Sequence, residues 1–457
     1  MKLRKSAPAL AILALGCGSS GTSAPVTVVA IVPPTPVAVA APLPDSPRAI
    51  AIAIEGGGWS LFHGDGARTG RVDARPIRAP RVLWQARVGV QGWLNAPVIA
   101  GSLVVVPSSG DAHNASDPRD GVHGIDLASG RPRWHAHLAG DADGVAVSGD
   151  RAIVGSDDGR VTAIDLQTGR AIWSTRVQGK AYASPLPLED QVIVGDASGT
   201  VRALHLADGT PRWQVQLDGA IRGGASADES AIYAVSQGGE AVALGFDGAP
   251  RWRVRLASIA ASPGPIEVYA APIVAGALLI IPFVRDTYYP TPGVLALDRR
   301  SGKLAWRAKG QGTSQWGNVR MTPALVSGVL VWPEPYSGDV VGLEAATGTV
   351  RFRNTVGPCF YPSWAAPAAA SDVVYVPRFD GSLYAVRAGD GGVLWQLYLG
   401  EARRVGLVPP AKIGAQTSCE WEVPAGAPLY APPAIAENGT VLIGSGEGIL
   451  YAIGEAL

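Results

Sequence analysis

The sequence predicts an all-β, eight-bladed propeller, and three observations carry that prediction: a hairpin unit copied along the chain, a regular spacing between copies, and an incomplete unit near each end. The clearest copy is VTAIDLQTGRAIWSTRV, from Val161 to Val177, with its core between Ala163 and Trp173. Related stretches are GIDLASGRPRW from Gly124, ALHLADGTPRW from Ala203, ALDRRSGKLAW from Ala296, GLEAATGTVRF from Gly342 and AVRAGDGGVLW from Ala385, with a shorter copy from Ala243 to Trp252. In each, an apolar strand end meets a polar turn whose glycine tolerates positive φ, and a second strand then carries an aromatic peg.

The pegs Trp134, Trp173, Trp213, Trp252, Trp306, Phe352 and Trp395 follow one another at 39, 40, 39, 54, 46 and 43 residues. A period of about 40 residues with four short strands is that of a propeller blade. Two more apolar runs precede each hairpin, as Val145 to Val147 and Ala152 to Val154 do around Ser148 to Asp150. The run Tyr451-Ala452-Ile453 has no turn and peg after it, while Val82-Leu83-Trp84 is a peg strand with no hairpin before it. Trp84 is therefore expected to complete the eighth four-stranded antiparallel blade, so that an N-terminal strand closes the ring and leaves no open edge. All eight pegs are expected to dock between neighbouring blades.

The A-[IL]-D-x-x-[ST]-G-x-x-x-W pattern resembles the PQQ-like β-propeller repeat shared by quinoprotein dehydrogenases and the outer-membrane assembly lipoprotein BamB, over residues 59 to 457. The lead-in WSLFHGDGARTG, from Trp59 to Gly70, is similar to a segment that often precedes such repeats. In organisation the chain most resembles BamB.

With 47% hydrophobic and 17% charged residues the chain can bury a large core, and its 58 Gly and 37 Pro suit turn-rich β structure. Its 38 basic and 38 acidic residues balance, and no basic stripe argues for nucleic acid. Residues 1–16 read as an export signal, with Lys2, Arg4 and Lys5 before the apolar Ala7 to Leu15. Leu13-Ala14-Leu15-Gly16-Cys17 resembles a lipobox with Cys17 as the acylated residue, and the resemblance implies sorting to the outer membrane of a Gram-negative envelope. Residues 17–58, rich in Pro, Ala and Val, read as a tether to the propeller at 59–457. Cys359 and Cys419 fall in consecutive blade-to-blade connections and are disulfide candidates, with two free thiols as the alternative.

In such a fold the first and third turns of every blade share one face, and the second turns share the other with the crossovers between blades. Excess length falls at Pro107 to Gly121 and Phe283 to Pro292 in second turns, and at Ala257 to Val268, Lys309 to Arg320, Gly357 to Trp364 and Gly400 to Tyr430 in crossovers. All of it maps to the crossover face, with Tyr288, Tyr289, Trp316, Phe360, Tyr361, Trp364, Trp421 and Tyr430 upon it. Aromatics on rigidly held loops suit partner binding, and packing on one another across the channel mouth is the alternative.

No catalytic constellation is expected: HExxH, G-x-S-x-G, a phosphate-binding glycine loop and adjacent cysteines are all missing. His135 and His137 share one face of an outer strand but lack an evident third ligand, and Asp111, Asp117 and Asp120 lack the spacing of a calcium loop. The resemblance to BamB implies a non-catalytic, monomeric scaffold that binds protein partners, among them the machinery inserting outer-membrane β-barrels, through Ile221, Arg222 and Gly223 after the third blade and the acidic Glu267 after the fourth. The resemblance to quinoproteins implies PQQ and alcohol oxidation, which the absent vicinal cysteines argue against; a propeller binding glycan or another exported protein is the further alternative.

Overall fold

The protein, described as a computed structural model, is defined for residues 58–456 apart from 93, 261, 263, 286–290, 310–319, 335–337, 357–363, 401–405 and 408–427. The export signal, Cys17, nearly all of the tether, Cys359, Cys419, Tyr288, Tyr289, Trp316, Phe360, Tyr361 and Trp421 lie outside the described residues. Eight sheets follow one another along the chain, at 98–137, 142–176, 186–216, 226–255, 266–309, 324–355, 368–407 and 434–455, and form the eight blades of a propeller. Almost no helix interrupts them; the short turn Leu256–Ile259 is the one described.

The closure expected at Trp84 is present. Strand Pro80–Arg87 pairs antiparallel with Ile449–Glu455, from Pro80 opposite Glu455 to Arg87 opposite Ile449, and supplies the outer strand of the eighth blade. A second N-terminal strand, Arg71–Val72, runs parallel to the innermost strand Ala368–Ala370 of the seventh.

The repeat motif has a direct physical account. Asp165 Oδ1 accepts bonds from the Thr168 N–H at 2.8 Å and the Thr168 hydroxyl at 2.7 Å, which folds the D-x-x-[ST]-G turn; Asp298 does the same with Ser301. The turn's glycine then receives the preceding blade's peg. At Gly209, with φ of 73°, an added Cβ would stand 2.4 Å from the Trp173 ring, so both the backbone conformation and the close approach demand glycine. Each tryptophan peg also donates its indole N–H to a carbonyl of the turn it covers: Trp84 to Leu127, Trp134 to Leu166, Trp173 to Leu206, Trp213 to Phe246, Trp252 to Arg299 and Trp306 to Ala345, at 2.8–3.1 Å. Phe352 has no such donor, and two residues on Asn354 Nδ2 donates to Asp390 O instead, at 2.7 Å. Trp395 finds its acceptor in Ile77 O at 2.8 Å, on the segment leading into the closing strand. Blade is thus keyed to blade around the whole ring.

The lead-in segment Trp59 to Gly70 lies where the innermost strands converge. Its carbonyls accept N–H bonds from six blades: Trp59 from Ile99, Ser60 from Val147, Gly66 from Ala227, Ala67 from Val274, Thr69 from Leu325 and Gly70 from Ala369. Trp59, Leu61 and Phe62 are buried, each in a different apolar cluster between blades. Arg68 is 0% exposed; its Nε donates to Ala225 O at 3.0 Å, Nη1 to Phe62 O at 2.7 Å and Nη2 to Pro185 O at 3.3 Å. His63 bridges Arg68 O and Pro367 O. This stretch is an axial pin holding the inner edges together.

Part of the length expected as loop is instead ordered strand. Positions 283–285 and 291–292 belong to the long strands Leu278–Arg285 and Thr291–Asp298, and Phe283 is buried at 8% exposure between blades. The stretch from Ala257 to Val268 contains the short helix and the strand Ile266–Glu267.

Candidate functional site

Each innermost strand but that of the second blade is preceded by a five-residue approach whose last residue opens the strand: LNAPV at Leu94, YASPL at Tyr182, RGGAS at Arg222, YAAPI at Tyr269, RMTPA at Arg320, WAAPA at Trp364 and YAPPA at Tyr430. Small residues and proline bring the backbone in close. The second residue of the approach is buried in every case, while the first, except Leu94, stays half-exposed on the crossover side. The outcome is a collar of large side chains around the axis, and neighbours in the collar touch. Arg222 Cζ lies 4.5 Å from the Tyr182 ring centroid, Arg320 Cζ 5.6 Å from Tyr269 and 4.6 Å from Trp364, and the Trp364 and Tyr430 rings stand 5.3 Å apart.

Inside the collar is a cavity of about 280 Å³ lined by Leu94, His113, Asn114, Asp143, Asp157, Lys180, Tyr182, Arg222, Gln237, Tyr269 and Arg320. Every one of these comes from a second turn, a crossover or the start of an inner strand, which places the cavity on the crossover face.

One half of its wall is acidic. The Lys180 ammonium pairs with Asp157 at 2.6 Å, and that hydrogen bond raises the lysine pKa. The bond between His113 Nδ1 and Asp141, 2.9 Å long, raises the histidine. Burial pushes Asp141 up, but the bonds from His113 and from the Asn114 N–H at 2.8 Å outweigh it and hold Asp141 below the usual carboxylate range. Asp143 is different: burial first, then the neighbouring Asp157 and Asp141, drive its pKa well above the carboxylate range, so its protonated form is favoured. The opposite half is basic and aromatic. Arg222 Nε donates to Gln237 Oε1 at 3.0 Å, Gln237 Nε2 to Tyr269 Oη at 3.0 Å, and Tyr269 Oη to Glu267 Oε2 at 2.6 Å. Burial, then the bond to Glu267, push the Tyr269 phenol up to about 12.

Among the sequence candidates, Arg222 is central to this cavity and Trp364 stands on its rim. Ile221 is 1% exposed within the core of the third and fourth blades, and Gly223 is buried where a Cβ would meet Ala271 N at 2.1 Å. These two position Arg222 and, as placed, are packing residues. Glu267 is half-buried and engaged by Tyr269. His135 stacks on His123 at 4.3 Å and lies 6.5 Å from His137, and among the described residues no three or more metal-binding side chains converge. Asp111, Asp117 and Asp120 are engaged within their own loop, by Arg119 and by the N–H groups of residues 111, 117 and 119. Tyr182, Lys180, Asp143, Asp157, Gln237 and Arg320 escaped the sequence reading, although the recurring approach motif would have marked three members of the collar: Tyr182, Tyr269 and Arg320.

A family model described as outer membrane protein assembly factor BamB matches residues 118–220 and 197–360, just over half of the chain. The chain belongs to this PQQ-repeat propeller family. No curated protein matches it in sequence. Among solved structures, BamB from Moraxella catarrhalis is 18% identical, with 82% of this chain and 98% of that one covered and a TM-score of 0.56. A europium-containing methanol dehydrogenase is 13% identical over 88% of this chain and 99% of its own, with a TM-score of 0.59. The quinohemoprotein alcohol dehydrogenase from Comamonas testosteroni is 15% identical over 88% and 81%, also with a TM-score of 0.59. At these identities the likeness establishes the fold alone.

Proposed function

We propose that the protein is a non-catalytic scaffold of the cell envelope that docks protein partners on its crossover face, in the manner of an outer membrane assembly factor. The observation that carries this reading is the collar on that face, where Arg222 is held in place by Gln237 and Tyr182 while its terminal nitrogens bond no acceptor among the described residues. A fixed guanidinium beside aromatic surface is the composition of a binding hot spot. The family match supports the assembly role. The N-terminal export signal supports anchoring through lipidated Cys17, with residues 17–58 as the tether and the propeller facing the periplasm.

Two features weigh against a quinone cofactor. PQQ is a tricarboxylate, and on one side of the cavity the Asp141 and Asp157 carboxylates already take the hydrogen bonds of His113 and Lys180. No three acidic or histidine side chains converge among the described residues to hold its companion calcium. These features support the reading of a propeller that works without a quinone.

The docking reading is tested by crosslinking in native membranes followed by co-purification of the outer-membrane β-barrel insertion machinery. Arg222→Ala should reduce capture, while Thr168→Ala and Arg170→Ala, in a turn on the opposite face, should leave it unchanged. Loss of capture from the turn variants alone would reverse the assignment of faces.

A further inference from the structure

Two polar groups on the axial cavity keep atoms without a hydrogen-bond partner among the described residues, Arg222 through its terminal nitrogens and Asp143 through Oδ2, its carboxyl otherwise sharing a hydrogen bond with Asp157, and they have opposite chemical demands. The first is Arg222. Its Nε is used by Gln237 and one face of its guanidinium by Tyr182, and among the described residues Nη1 and Nη2 take no acceptor and no carboxylate pairs with it. The second is Asp143, 4% exposed, whose Oδ2 is buried without a hydrogen-bond partner and borders the same cavity. Its acidic neighbours are already engaged, Asp157 by Lys180 and Asp141 by His113. The Tyr182 ring lines the same cavity, with Lys180 Nζ 6.0 Å and Arg222 Cζ 4.5 Å from its centroid.

A buried polar atom left unmatched loses its hydration without replacement, so such atoms call for an explanation. An anion would satisfy Arg222 and leave Asp143 as it is. A metal ion would meet Asp143 without enough convergent ligands and would be repelled by Arg222. A molecule bearing both charges satisfies both poles. We propose that the cavity binds a small zwitterion of the α-amino-acid or short-peptide class, its ammonium group received by Asp143 and its carboxylate by the terminal nitrogens of Arg222. The volume of about 280 Å³ admits a ligand on the order of ten non-hydrogen atoms, the size of a dipeptide with small side chains. Gln237, Asn114 and Tyr269 offer further polar contacts, and Leu94 an apolar one.

Binding has a proton signature. Asp143 faces Asp141, Asp157 and Lys180, and burial, then the two neighbouring carboxylates, raise its pKa and favour its protonated form. An arriving ammonium favours the ionised carboxylate, so the Asp143 proton leaves to solvent as the ion pair forms. The zwitterion then brings one charge to each unmatched pole, and no net charge accumulates.

The test is independent of the docking reading and uses the purified full chain alone. Dialanine, N-acetyl-dialanine and dialanine amide are titrated by calorimetry at neutral pH in two buffers of different ionisation enthalpy. Uncapped dialanine is expected to bind at least about tenfold more tightly than either capped form, with net proton release that the capped amine lacks. Asp143→Asn should abolish the proton release and the preference for a free ammonium, while retaining the preference for a free carboxylate; Arg222→Gln should do the reverse. Equal binding of capped and uncapped forms, or no heat from dialanine or from free alanine, glutamate or lysine up to about 10 mM, overturns the proposal. So does proton release evoked by calcium alone. Should either variant fail to fold, the capped series on the unaltered protein still decides. If Asp143→Asn eliminates dialanine selectivity but leaves partner capture intact, the small-molecule site and the docking surface are separate functions of one face.

Discussion

Arg68→Met probes the axial pin with little change in volume. The methionine fills nearly the same space and inherits the same left-handed backbone, φ of 59°, so backbone strain cancels in the comparison. What disappears are three donors, to Phe62 O at 2.7 Å, Ala225 O at 3.0 Å and Pro185 O at 3.3 Å, the last two on different blades. At about 1.5–3 kcal/mol for each good bond from a charged donor, and less for the long one, the gross loss is about 4–6 kcal/mol. Burial pulls the guanidinium down to about 10, which still leaves it charged at neutral pH; removing that charge returns part of its desolvation, so the net loss is about 2–3 kcal/mol. Read by tryptophan fluorescence in urea, the midpoint should fall by about 0.5–1 M. Arg68→Lys keeps the charge but not the fork of donors, and should be at least as destabilising as Met. A Met midpoint within about 0.2 M of the unaltered protein would refute the claim that the pin ties the blades together.

The peg bonds make a graded prediction: Trp213→Phe keeps the ring over Gly248 but loses the donor to Phe246 O, costing about 1 kcal/mol, whereas Trp213→Ala should cost about 3 kcal/mol or more in a thermal or urea melt. Acid sensitivity should map to His123, which burial and then the stacked His135 lower to about 4. Because the folded value lies below the ordinary 6.5, the unfolded chain takes up the proton first, and stability falls as pH drops from about 6.5 toward 4, by on the order of 3 kcal/mol. His123→Phe should flatten that part of the stability profile relative to the unaltered protein, as followed by urea midpoints between these pH values; an unchanged slope would locate the sensitivity elsewhere.

The fold was legible because its determinants are local and repeated. An Asp165-type turn, a glycine and a peg four residues later can be recognised in a single copy, and Trp84 could be assigned to the last blade because the split units complement each other. The axial pin was recognisable only as a familiar lead-in. Nothing in WSLFHGDGARTG has period two, and its structure comes from one bond to each of six blades, an arrangement with no signature in a linear reading. The cavity was partly legible. Arg222 stood out, but Asp143 and Asp157 are ordinary aspartates until the fold buries one beside the other. The run Ile221-Arg222-Gly223 reads as one unit in the sequence, whereas in the structure the residues on both sides of Arg222 are buried and Arg222 alone of the three lines the cavity.

The seam between Pro80–Arg87 and Ile449–Glu455 has a consequence for how the molecule comes into being. The ribosome delivers the two sides of that seam roughly 360 residues apart, a delay of about 20–70 s at ordinary elongation rates. Throughout that interval the nascent chain carries a β-strand whose partner does not yet exist, and six sets of carbonyls on the axial segment are offered to blades that arrive one by one. A stalled or clipped product is therefore an open arc with two adhesive ends, never a smaller working ring. Completion is a single final event, and it gives proteases and holding chaperones a simple criterion for telling finished molecules from unfinished ones.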